Sequence, residues 1–485
     1  MMTRKITIEP VTRVEGHGKV TIQLNDNHEV IDTRLHIVEF RGFERFVQGR
    51  PYWEAPVLVQ RLCGICPVSH HIAAAKAMDV IVGAGNGDSL TPTAEKMRRL
   101  MHYGQFFQSH VLHFFHLSSP DFLFGIDGDP ALRNIVGVAT VNKELAVQGV
   151  MMRKFGQEVI RLTAGKKIHG TGAIPGGINK NLSIAERDEL LKGPDPLNAD
   201  KMVEWSLSAL DFFKHYHQQN RAKVDNFARF PSNHLSLVRK DGALDIYHGV
   251  LRAVDADGKR ILDDVDYHEY YNYIEEEVRN WSYMKFPYLK HLGKEKGWYR
   301  VGPLARLNTC DFIPSPLAQK EFEEYKAYTH GKPNNMSLHY HWARLIEILH
   351  AAEVIRQLLH DPDLQKNDLV VKGKKHHEGI GVIEAPRGTL FHHYQIDDND
   401  LITMANLIVS TTNNNEPMNR SVASTARALM NGQETITEPM MNAVEVAIRA
   451  YDPCLSCATH ALGQMPLEVT VLGPDGNVLD HKIKE

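Results

Sequence analysis

The sequence predicts a mainly α-helical protein with small antiparallel β regions (an α+β class), in which a large helical core follows an N-terminal β sheet. Two patterns carry this prediction. Apolar residues alternate through roughly the first 40 positions, and from Arg61 onward they recur at helical spacing in several long segments. The chain has 485 residues, of which 43% are hydrophobic and 24% charged, so it can bury a large core.

The N-terminal alternation divides into three short segments. They contain Ile6 and Ile8, then Val20, Ile22 and Leu24, and then the residues from Val30 onward. The polar run Asp26-Asn27-His28 before the third segment is typical of a turn. Residues 1–60 are therefore expected to form an N-terminal β region built on a small antiparallel sheet.

Helix signals begin after this region. An alanine-rich segment over 72–82 stops at Gly83. A longer helix is predicted to begin at Thr91-Pro92, where threonine caps the helix and proline fits its first turn, and to end near Pro120. Two further helices are predicted over 342–359 and 439–448.

These helices define a helical core made of two parts of the chain, residues 61–230 and 336–460. The intervening residues 231–335 are rich in tyrosine, charge and turn signals and show no convincing period, so they are expected to form a peripheral mixed lobe. Within that lobe, Glu275-Glu-Glu277 is interpreted as an exposed helical face.

Charge and hydropathy exclude two classes of partner. The formal net charge of −4 argues against a nucleic-acid-binding surface. No segment approaches the roughly 18 uninterrupted apolar residues of a membrane helix, and the N-terminus lacks the apolar stretch of a signal peptide. The sequence therefore predicts a cytoplasmic protein with no membrane partner.

Four of the five cysteines form two Cys-x-x-Cys pairs, Cys63/Cys66 and Cys454/Cys457, while Cys310 stands alone and is expected to be a small buried apolar residue. Four soft thiolates suit zinc, a rubredoxin-like iron, an iron–sulfur cluster or nickel. The paired cysteines of structural zinc sites usually lie close together in sequence, whereas Cys66 and Cys454 are 388 positions apart. The predicted site therefore joins the two ends of a large fold.

The residues around the two pairs resemble the signature segments of nickel–iron hydrogenase large subunits. The first pair lies in Arg61-Leu-Cys-Gly-Ile-Cys-Pro-Val-Ser-His70 and the second in Asp452-Pro-Cys-Leu-Ser-Cys-Ala-Thr-His460. Three more motifs follow the order of the family: Thr12-Arg-Val-Glu-Gly-His17, Arg41-Gly-Phe-Glu44 and Glu384-Ala-Pro-Arg-Gly388. The resemblance implies the large-subunit fold of that family and reversible splitting of dihydrogen.

The resemblance also implies a set of metal ligands. Cys63 and Cys454 match terminal nickel ligands, and Cys66 and Cys457 match cysteines that bridge nickel to an iron carrying carbon monoxide and cyanide. Glu44 and His460 match the ligands of a magnesium ion beside that centre; a glutamate oxygen is the kind of hard ligand that magnesium prefers.

Further roles follow from the same resemblance. Cys454 matches the thiolate that takes up a proton and passes it to the glutamate matching Glu15. Arg387 matches an arginine suspended over the open bridging position, Asp452 an aspartate that orients this arginine, and His70 a histidine beside a bridging cysteine.

The chain departs from the commonest family pattern at Ser109. Many relatives have aspartate where Ser109 stands, so the carboxylate network around the arginine is expected to be thinner here.

The electrons need a partner protein. Once four thiolates are assigned, only Cys310 remains, and one cysteine cannot hold an iron–sulfur cluster. The chain also lacks a convincing dinucleotide-binding fingerprint. The family supplies an iron–sulfur small subunit, and the wording of the motifs resembles the cytoplasmic bidirectional NAD-reducing type, in which diaphorase subunits carry flavin and the NAD site.

Three alternatives stay open. A related cytoplasmic hydrogenase would pass its electrons to deazaflavin or to a heterodisulfide reductase. The other two are non-catalytic: a zinc scaffold, and a quinone-binding subunit like that of complex I, which lacks the nickel cysteines that are present here.

Residues 461–485 match a maturation extension that an endopeptidase removes in the family after delivery proteins have supplied nickel. Leu467, Val469 and Val471 alternate, Gly473-Pro-Asp-Gly476 is a turn signal, and Val478 to Ile483 can return as a second strand. The extension is therefore expected to form a β hairpin.

Overall fold

The computed structural model describes residues 4–84 and 89–459, together with the backbone of two strands at 467–472 and 478–484. Helices dominate, as predicted. The α helices are α1 (Phe43–Phe46), α2 (Ala55–Leu58), α3 (Pro67–Ile81), α4 (Pro92–Leu112), α5 (Ser119–Phe124), α6 (Ile135–Val141), α7 (Lys143–Ala164), α8 (Ile184–Leu191), α9 (Ala199–Gln219), α10 (Arg221–Asn226), α11 (Tyr270–Tyr273), α12 (Gly293–Lys296), α13 (Pro303–Thr309), α14 (Pro316–Tyr328), α15 (His339–Leu359), α16 (Ser410–Asn413), α17 (Asn415–Met430) and α18 (Glu438–Arg449).

The strands form several small sheets. They are β1 (Arg4–Ile8), β2 (Gly18–Leu24), β3 (Val30–Ile37), β4 (Ala173–Ile174), β5 (Gly177–Ile178), β6 (Asn233–Val238), β7 (Val250–Val254), β8 (Arg260–Val265), β9 (Ile274–Glu277), β10 (Phe286–Leu289), β11 (Tyr299–Arg300), β12 (Glu378–Ala385), β13 (Gly388–Ile396), β14 (Ile402–Ile408), β15 (Leu467–Leu472) and β16 (Val478–Lys484). The strand orders are β1-β2-β3, β11-β6-β7-β8 and β12-β13-β14, with β4-β5, β9-β10 and β15-β16 as pairs. All strand pairs are antiparallel except β11 with β6.

The N-terminal sheet confirms the predicted alternation. In the register of β1 on β2, Ile6 pairs with Ile22 and Ile8 with Val20, and all four side chains are buried in the main hydrophobic core. A period of two places every second side chain on the same face of a strand, so a single core-facing side accounts for the pattern.

The predicted helices are also present, with one difference. Helix α4 begins where expected, and the Thr91 hydroxyl accepts a hydrogen bond of 3.1 Å from the Ala94 N–H. Beyond Leu112 the chain continues through a π-helical segment, His113–Ser118, directly into α5. Pro120 therefore lies in the first turn of a new helix, a position that tolerates proline, and helical structure ends later than predicted.

Helix α3 carries the first cysteine pair at its N-terminus and packs directly on strand β12. The two backbones approach so closely that a Cβ atom on Gly381 would lie 2.2 Å from the carbonyl oxygen of Ala73. Only glycine fits such a position. This packing brings the beginning of α3 and the end of β12 to one place, which is the candidate site.

The segment 231–335, expected at the periphery, reaches the centre of the molecule through α13, whose residues are all buried. The interpretation of Glu275 to Glu277 as a helical face is wrong: these residues belong to strand β9, and the Glu276 carboxylate accepts a hydrogen bond of 3.0 Å from Lys285. A local run of charge does not reveal that a neighbouring strand supplies a countercharge.

Two features outside the main core are also as predicted. Strands β15 and β16 pair antiparallel, which confirms the hairpin expected within 461–485. No helix in the described part of the chain combines the length and apolar character that a bilayer crossing requires.

Candidate metal centre

The two cysteine pairs meet in the interior. Cys63 and Cys66 flank the entry into α3, and Cys454 and Cys457 lie in the short segment that follows α18. All four side chains are buried, and their sulfur atoms lie within 4.8 Å of one another. The Sγ–Sγ distance is 3.4 Å for Cys63 and Cys454 and 4.0 Å for Cys66 and Cys457, so each end of the chain contributes to both pairs.

Backbone amides favour a thiolate at the first pair. The N–H groups of Ile65 and Cys66 donate to the Cys63 sulfur at 3.2 and 3.0 Å. Burial opposes ionisation of Cys63, but hydrogen bonding from Cys66 and the positive charge of Arg387 together lower the pKa of its thiol. Because a thiolate is the metal-binding form, this environment suits a metal ligand.

Glu15 lies against the second pair. Its Oε2 atom accepts a hydrogen bond of 3.0 Å from the Cys454 thiol and one of 3.2 Å from the Ser456 N–H, and its Oε1 atom accepts a short one from the Ser456 hydroxyl. The two backbones also pair, since Leu455 N–H donates to the Glu15 carbonyl at 3.0 Å. Glu15 is half-buried, so its carboxylate lies between the buried sulfur and the surface.

Arg387 lies in the tight turn between β12 and β13. Its guanidinium donates to Asp452 twice, from Nε to the backbone carbonyl at 2.5 Å and from Nη2 to Oδ1 at 2.9 Å, and Nη1 reaches the Ser109 hydroxyl at 3.3 Å. Burial alone would lower the pKa of Arg387, but the negative charges of Asp452 and of the Cys66 and Cys63 thiolates raise it above its ordinary value. The guanidinium is thus a fixed positive charge beside the sulfurs.

Asp452 has a strained backbone. Its φ is 55°, in the left-handed region that costs a non-glycine residue energy and is often found at functional sites. Burial raises the pKa of its carboxyl although the charge of Arg387 opposes the shift. Its Oδ2 atom has no hydrogen-bond partner among the described residues.

A small cavity adjoins the sulfurs, and its lining includes Cys66, His70, Arg387, Thr411 and Cys454. His70 is fully buried, and its Nδ1 is 3.2 Å from Nε2 of His392, whose own Nδ1 is 2.7 Å from the Tyr394 hydroxyl. Burial lowers the pKa of His70 to about 3, so this ring is neutral at physiological pH.

Glu44 is buried beside strand β14, and its Oε1 atom accepts a hydrogen bond of 2.9 Å from the Leu407 N–H. Burial raises the pKa of Glu44 to about 7, although the charge of Lys285 opposes the shift. His460 lies outside the described residues. The carbonyl of the preceding Thr459 accepts hydrogen bonds from the N–H groups of Arg41 and Gly42 at 3.1 and 3.3 Å, so the chain reaches this position close to the Glu44 helix.

A second group of possible metal ligands, His217, Asp225 and His339, fits a hydrogen-bonded network better than a metal site. Asn334 Nδ2 donates to Nδ1 of His339 at 2.8 Å, because the Oδ1 atom of the same amide accepts from the Met336 N–H. Nε2 of His339 therefore carries the hydrogen and donates to Asp225 at 3.0 Å. A metal would need the lone pair of that nitrogen.

The donor set at the cysteines fits a soft metal. Four thiols converge in a buried place, a carboxylate accepts from one of them, and a guanidinium lies on the cavity side. Such a site can hold a redox metal and move a proton next to it. The fold and the site thus define a metalloenzyme with a thiolate-bound centre.

Comparisons with known proteins identify the class further. A family model described as nickel-dependent hydrogenase matches residues 41–131 and 245–460, and one described as HoxL-like matches residues 5–40. The beta subunit of the NAD-reducing hydrogenase HoxS of Cupriavidus necator is 55% identical, over 100% of both chains. One chain of the vhc hydrogenase of Methanococcus voltae is 43% identical, over 95% of this chain and 96% of its own.

A crystal structure of an NAD+-reducing NiFe hydrogenase in the H2-reduced state superposes with a TM-score of 0.91 at 54% identity, covering 94% of this chain and 99% of the other. The chain therefore belongs to the nickel-dependent hydrogenase family.

Several contacting residues were not predicted from the sequence. Ser456 and Thr411 hold Glu15 and the Cys454 N–H, His392 contacts His70, and Arg306 contacts the turn before Arg387. Ser456 lies inside a motif, between its two cysteines, and could have been singled out. Arg306, His392 and Thr411 lie outside the motifs, and no local pattern marks them.

Proposed function

We propose that this chain is the catalytic subunit of an NAD-reducing nickel–iron hydrogenase, which splits dihydrogen reversibly into protons and electrons. The observation that carries the proposal is the Cys454 thiol, which belongs to the four-sulfur group and donates to the Glu15 carboxylate at 3.0 Å. When bound, the nickel–iron centre supplies the site that polarises dihydrogen and accepts its electrons. The protein's own part is to bind, orient and move the proton.

The four cysteines divide into two roles in this proposal. Cys63 and Cys454 are terminal nickel ligands, and Cys66 and Cys457 bridge nickel to an iron that carries carbon monoxide and cyanide. The sulfur distances support this division, because each proposed role unites one cysteine from either end of the chain, at 3.4 and 4.0 Å.

The proton moves from Cys454 to Glu15. The Cys454 sulfur is the base, and the Glu15 Oε2 atom already lies within hydrogen-bonding distance of it, so no side chain needs to rotate before transfer. Ser456 fixes the carboxylate by donating to both of its oxygens. The half-buried position of Glu15 allows the proton to leave toward the surface.

Arg387 acts electrostatically. A guanidinium stays cationic at any working pH, so orienting dihydrogen and donating a hydrogen bond to cyanide suit it better than accepting a proton. Asp452 holds it through two hydrogen bonds. With Ser109 in place of an aspartate, one neutral hydroxyl takes the position of a second carboxylate.

Glu44 and His460 bind magnesium beside the centre in this proposal. The buried Glu44 carboxyl, with its elevated pKa, is the kind of group that a cation would ionise. His70, held neutral in the cavity beside Cys66, tunes that sulfur by hydrogen bonding.

Electrons leave through partners: an iron–sulfur small subunit, and then a diaphorase pair with flavin and the NAD site. The remaining cysteine, Cys310, cannot hold a cluster alone, so the chain needs such a partner. The Cupriavidus relative is named as a subunit of an NAD-reducing hydrogenase, which supports this choice. A cytoplasmic location, nickel-delivery proteins and a maturation endopeptidase complete the proposal.

Infrared spectroscopy and elemental analysis of the anaerobically purified complex test the centre. We expect nickel, and absorption bands of carbon monoxide and cyanide in a region where proteins do not absorb. Zinc without nickel would contradict the proposal and favour a scaffold, and a sample with neither metal would favour a subunit like that of complex I.

Hydrogen-dependent reduction of NAD+ by the same complex tests the acceptor. A complex that shows the infrared bands but delivers electrons to deazaflavin or to a heterodisulfide reductase instead of NAD+ would keep the centre and replace the acceptor.

A further inference from the structure

Arg306 is the hub of a buried hydrogen-bond network one step behind Arg387. It lies in α13 and is 1% exposed, yet each of its five N–H groups has an acceptor. Nε and Nη2 donate to the two carboxylate oxygens of Glu347 at 2.6 and 2.7 Å, and Nη1 donates to Glu384 at 2.8 Å. The two remaining N–H groups donate to the carbonyls of Ala385 and Pro386, both at 2.9 Å.

Those two carbonyls belong to the residues directly before Arg387. The planar fork of a guanidinium fixes two acceptors at a set spacing, which an ammonium cannot do. The other carboxylate oxygen of Glu384 accepts from the Leu237 N–H at 2.8 Å and from Thr389 at 2.7 Å, so Arg306 is itself held in place.

The N-terminus of α13 contacts the other side of the same turn. A Cβ on Gly302 would lie 2.8 Å from the Arg387 carbonyl oxygen, and one on Gly388 would lie 2.2 Å from a Val301 methyl group. The backbone of Arg387 is thus held between Arg306 and the start of α13. Asp452 fixes only the far end of the Arg387 side chain.

We infer that Arg306, with Glu347 and Glu384, is a positioning residue that sets the location of the Arg387 guanidinium over the metal centre. The inference rests on the proposed role of Arg387. Arg306 does not touch the sulfurs; it acts through the 385–386 backbone. A purely structural arginine in the core would instead affect stability alone.

The experiment compares Arg306→Lys, Arg387→Lys and Arg98→Lys in the purified complex. Arg98 is a matched control, because it is also fully buried, forms two hydrogen bonds with Asp79 and donates to backbone carbonyls, but those belong to Gly177 and Ile174. The readouts are nickel content, turnover per nickel and the infrared bands of the iron-bound diatomic ligands.

We expect Arg306→Lys to retain nickel, to lose turnover per nickel by at least about tenfold and to shift the infrared bands in the same direction as Arg387→Lys. Arg98→Lys should leave both quantities unchanged per nickel. If Arg306→Lys behaves like Arg98→Lys while Arg387→Lys is impaired, the inference is wrong and the proposed function stands. If Arg387→Lys turns over normally, the proposed role of Arg387 fails first.

Glu384→Gln is the second variant, in case Arg306→Lys does not fold. Its amide can still accept from Leu237 and Thr389 but turns an NH2 group toward Arg306. A smaller loss of turnover with a band shift of the same direction supports the inference, and wild-type bands with wild-type turnover would overturn it.

Discussion

The Cys454 thiol donates a 3.0 Å hydrogen bond to the Glu15 carboxylate, although 439 residues separate the two in the chain. The contact does not depend on these side chains alone, because the Glu15 carbonyl accepts from Leu455 N–H and the carboxylate from Ser456. Three consecutive residues of the C-terminal segment thus hold one glutamate. The sulfur and its proton acceptor are aligned before any substrate arrives.

Glu15→Gln should retain both metals yet largely block hydrogen–deuterium exchange, because the amide keeps the size of the side chain but cannot take up a proton. Exchange between deuterium gas and water measures this directly. Glu39→Gln is the control, since Glu39 is another carboxylate of the N-terminal region and pairs with His17 at the surface. Unchanged exchange in Glu15→Gln would remove Glu15 from the proton path.

Cys454→Ser or Cys457→Ser should abolish activity and prevent stable nickel retention, because a neutral hydroxyl replaces a soft anionic ligand. Nickel per chain after gel filtration is the measurement. Cys310→Ala should keep its nickel, since burial raises the pKa of Cys310 to about 12 and this thiol lies outside the four-sulfur group. Wild-type turnover in either serine variant would refute the assignment.

Arg387→Lys should bind metals normally and lose turnover by about tenfold or more, because a smaller, more strongly hydrated ammonium cannot reproduce the two hydrogen bonds to Asp452. Turnover per nickel at saturating hydrogen is the measurement. Near-normal rates would show that this arginine only stabilises the fold.

Magnesium binding should weaken at acid pH through Glu44. Burial raises the pKa of this carboxyl to about 7, so below that pH its protonated form dominates and the ion must displace a proton. Affinity should fall by roughly tenfold per pH unit below about pH 7 and level off above it. Calorimetry at about pH 6 and about pH 8 tests this. Glu44→Gln should bind weakly and lose this component of the pH dependence; an unaltered dependence would assign it to another ligand.

The mature chain should end at His460. In our proposal the 461–485 hairpin keeps the C-terminal segment accessible during nickel delivery, and cleavage lets His460 reach the magnesium site. Mass spectrometry of the active subunit gives the answer. An active, nickel-loaded chain that still ends at Glu485 would contradict the maturation role.

Local periodicity predicted the elements whose packing is simple. The strand containing Ile6 and Ile8 presents one face to the core, and α4 has its cap at Thr91, so both patterns are visible in the sequence. The interpretation of Glu276 was wrong because its partner Lys285 lies outside the local run of charge. The site residues inside motifs were found through family resemblance. Arg306 and His392 were not, because each acts through a contact that only the tertiary structure creates.

The convergence of the two cysteine pairs closes the polypeptide on itself. Cys66 and Cys457 are 391 residues apart, and joining positions so distant removes loop entropy on the order of 5 kcal/mol from an unfolded chain. A metal bound by both pairs therefore turns an open chain into a ring. Unfolding of the loaded subunit cannot recover this entropy until a metal–sulfur bond breaks, so the lifetime of the native state should be governed by metal release.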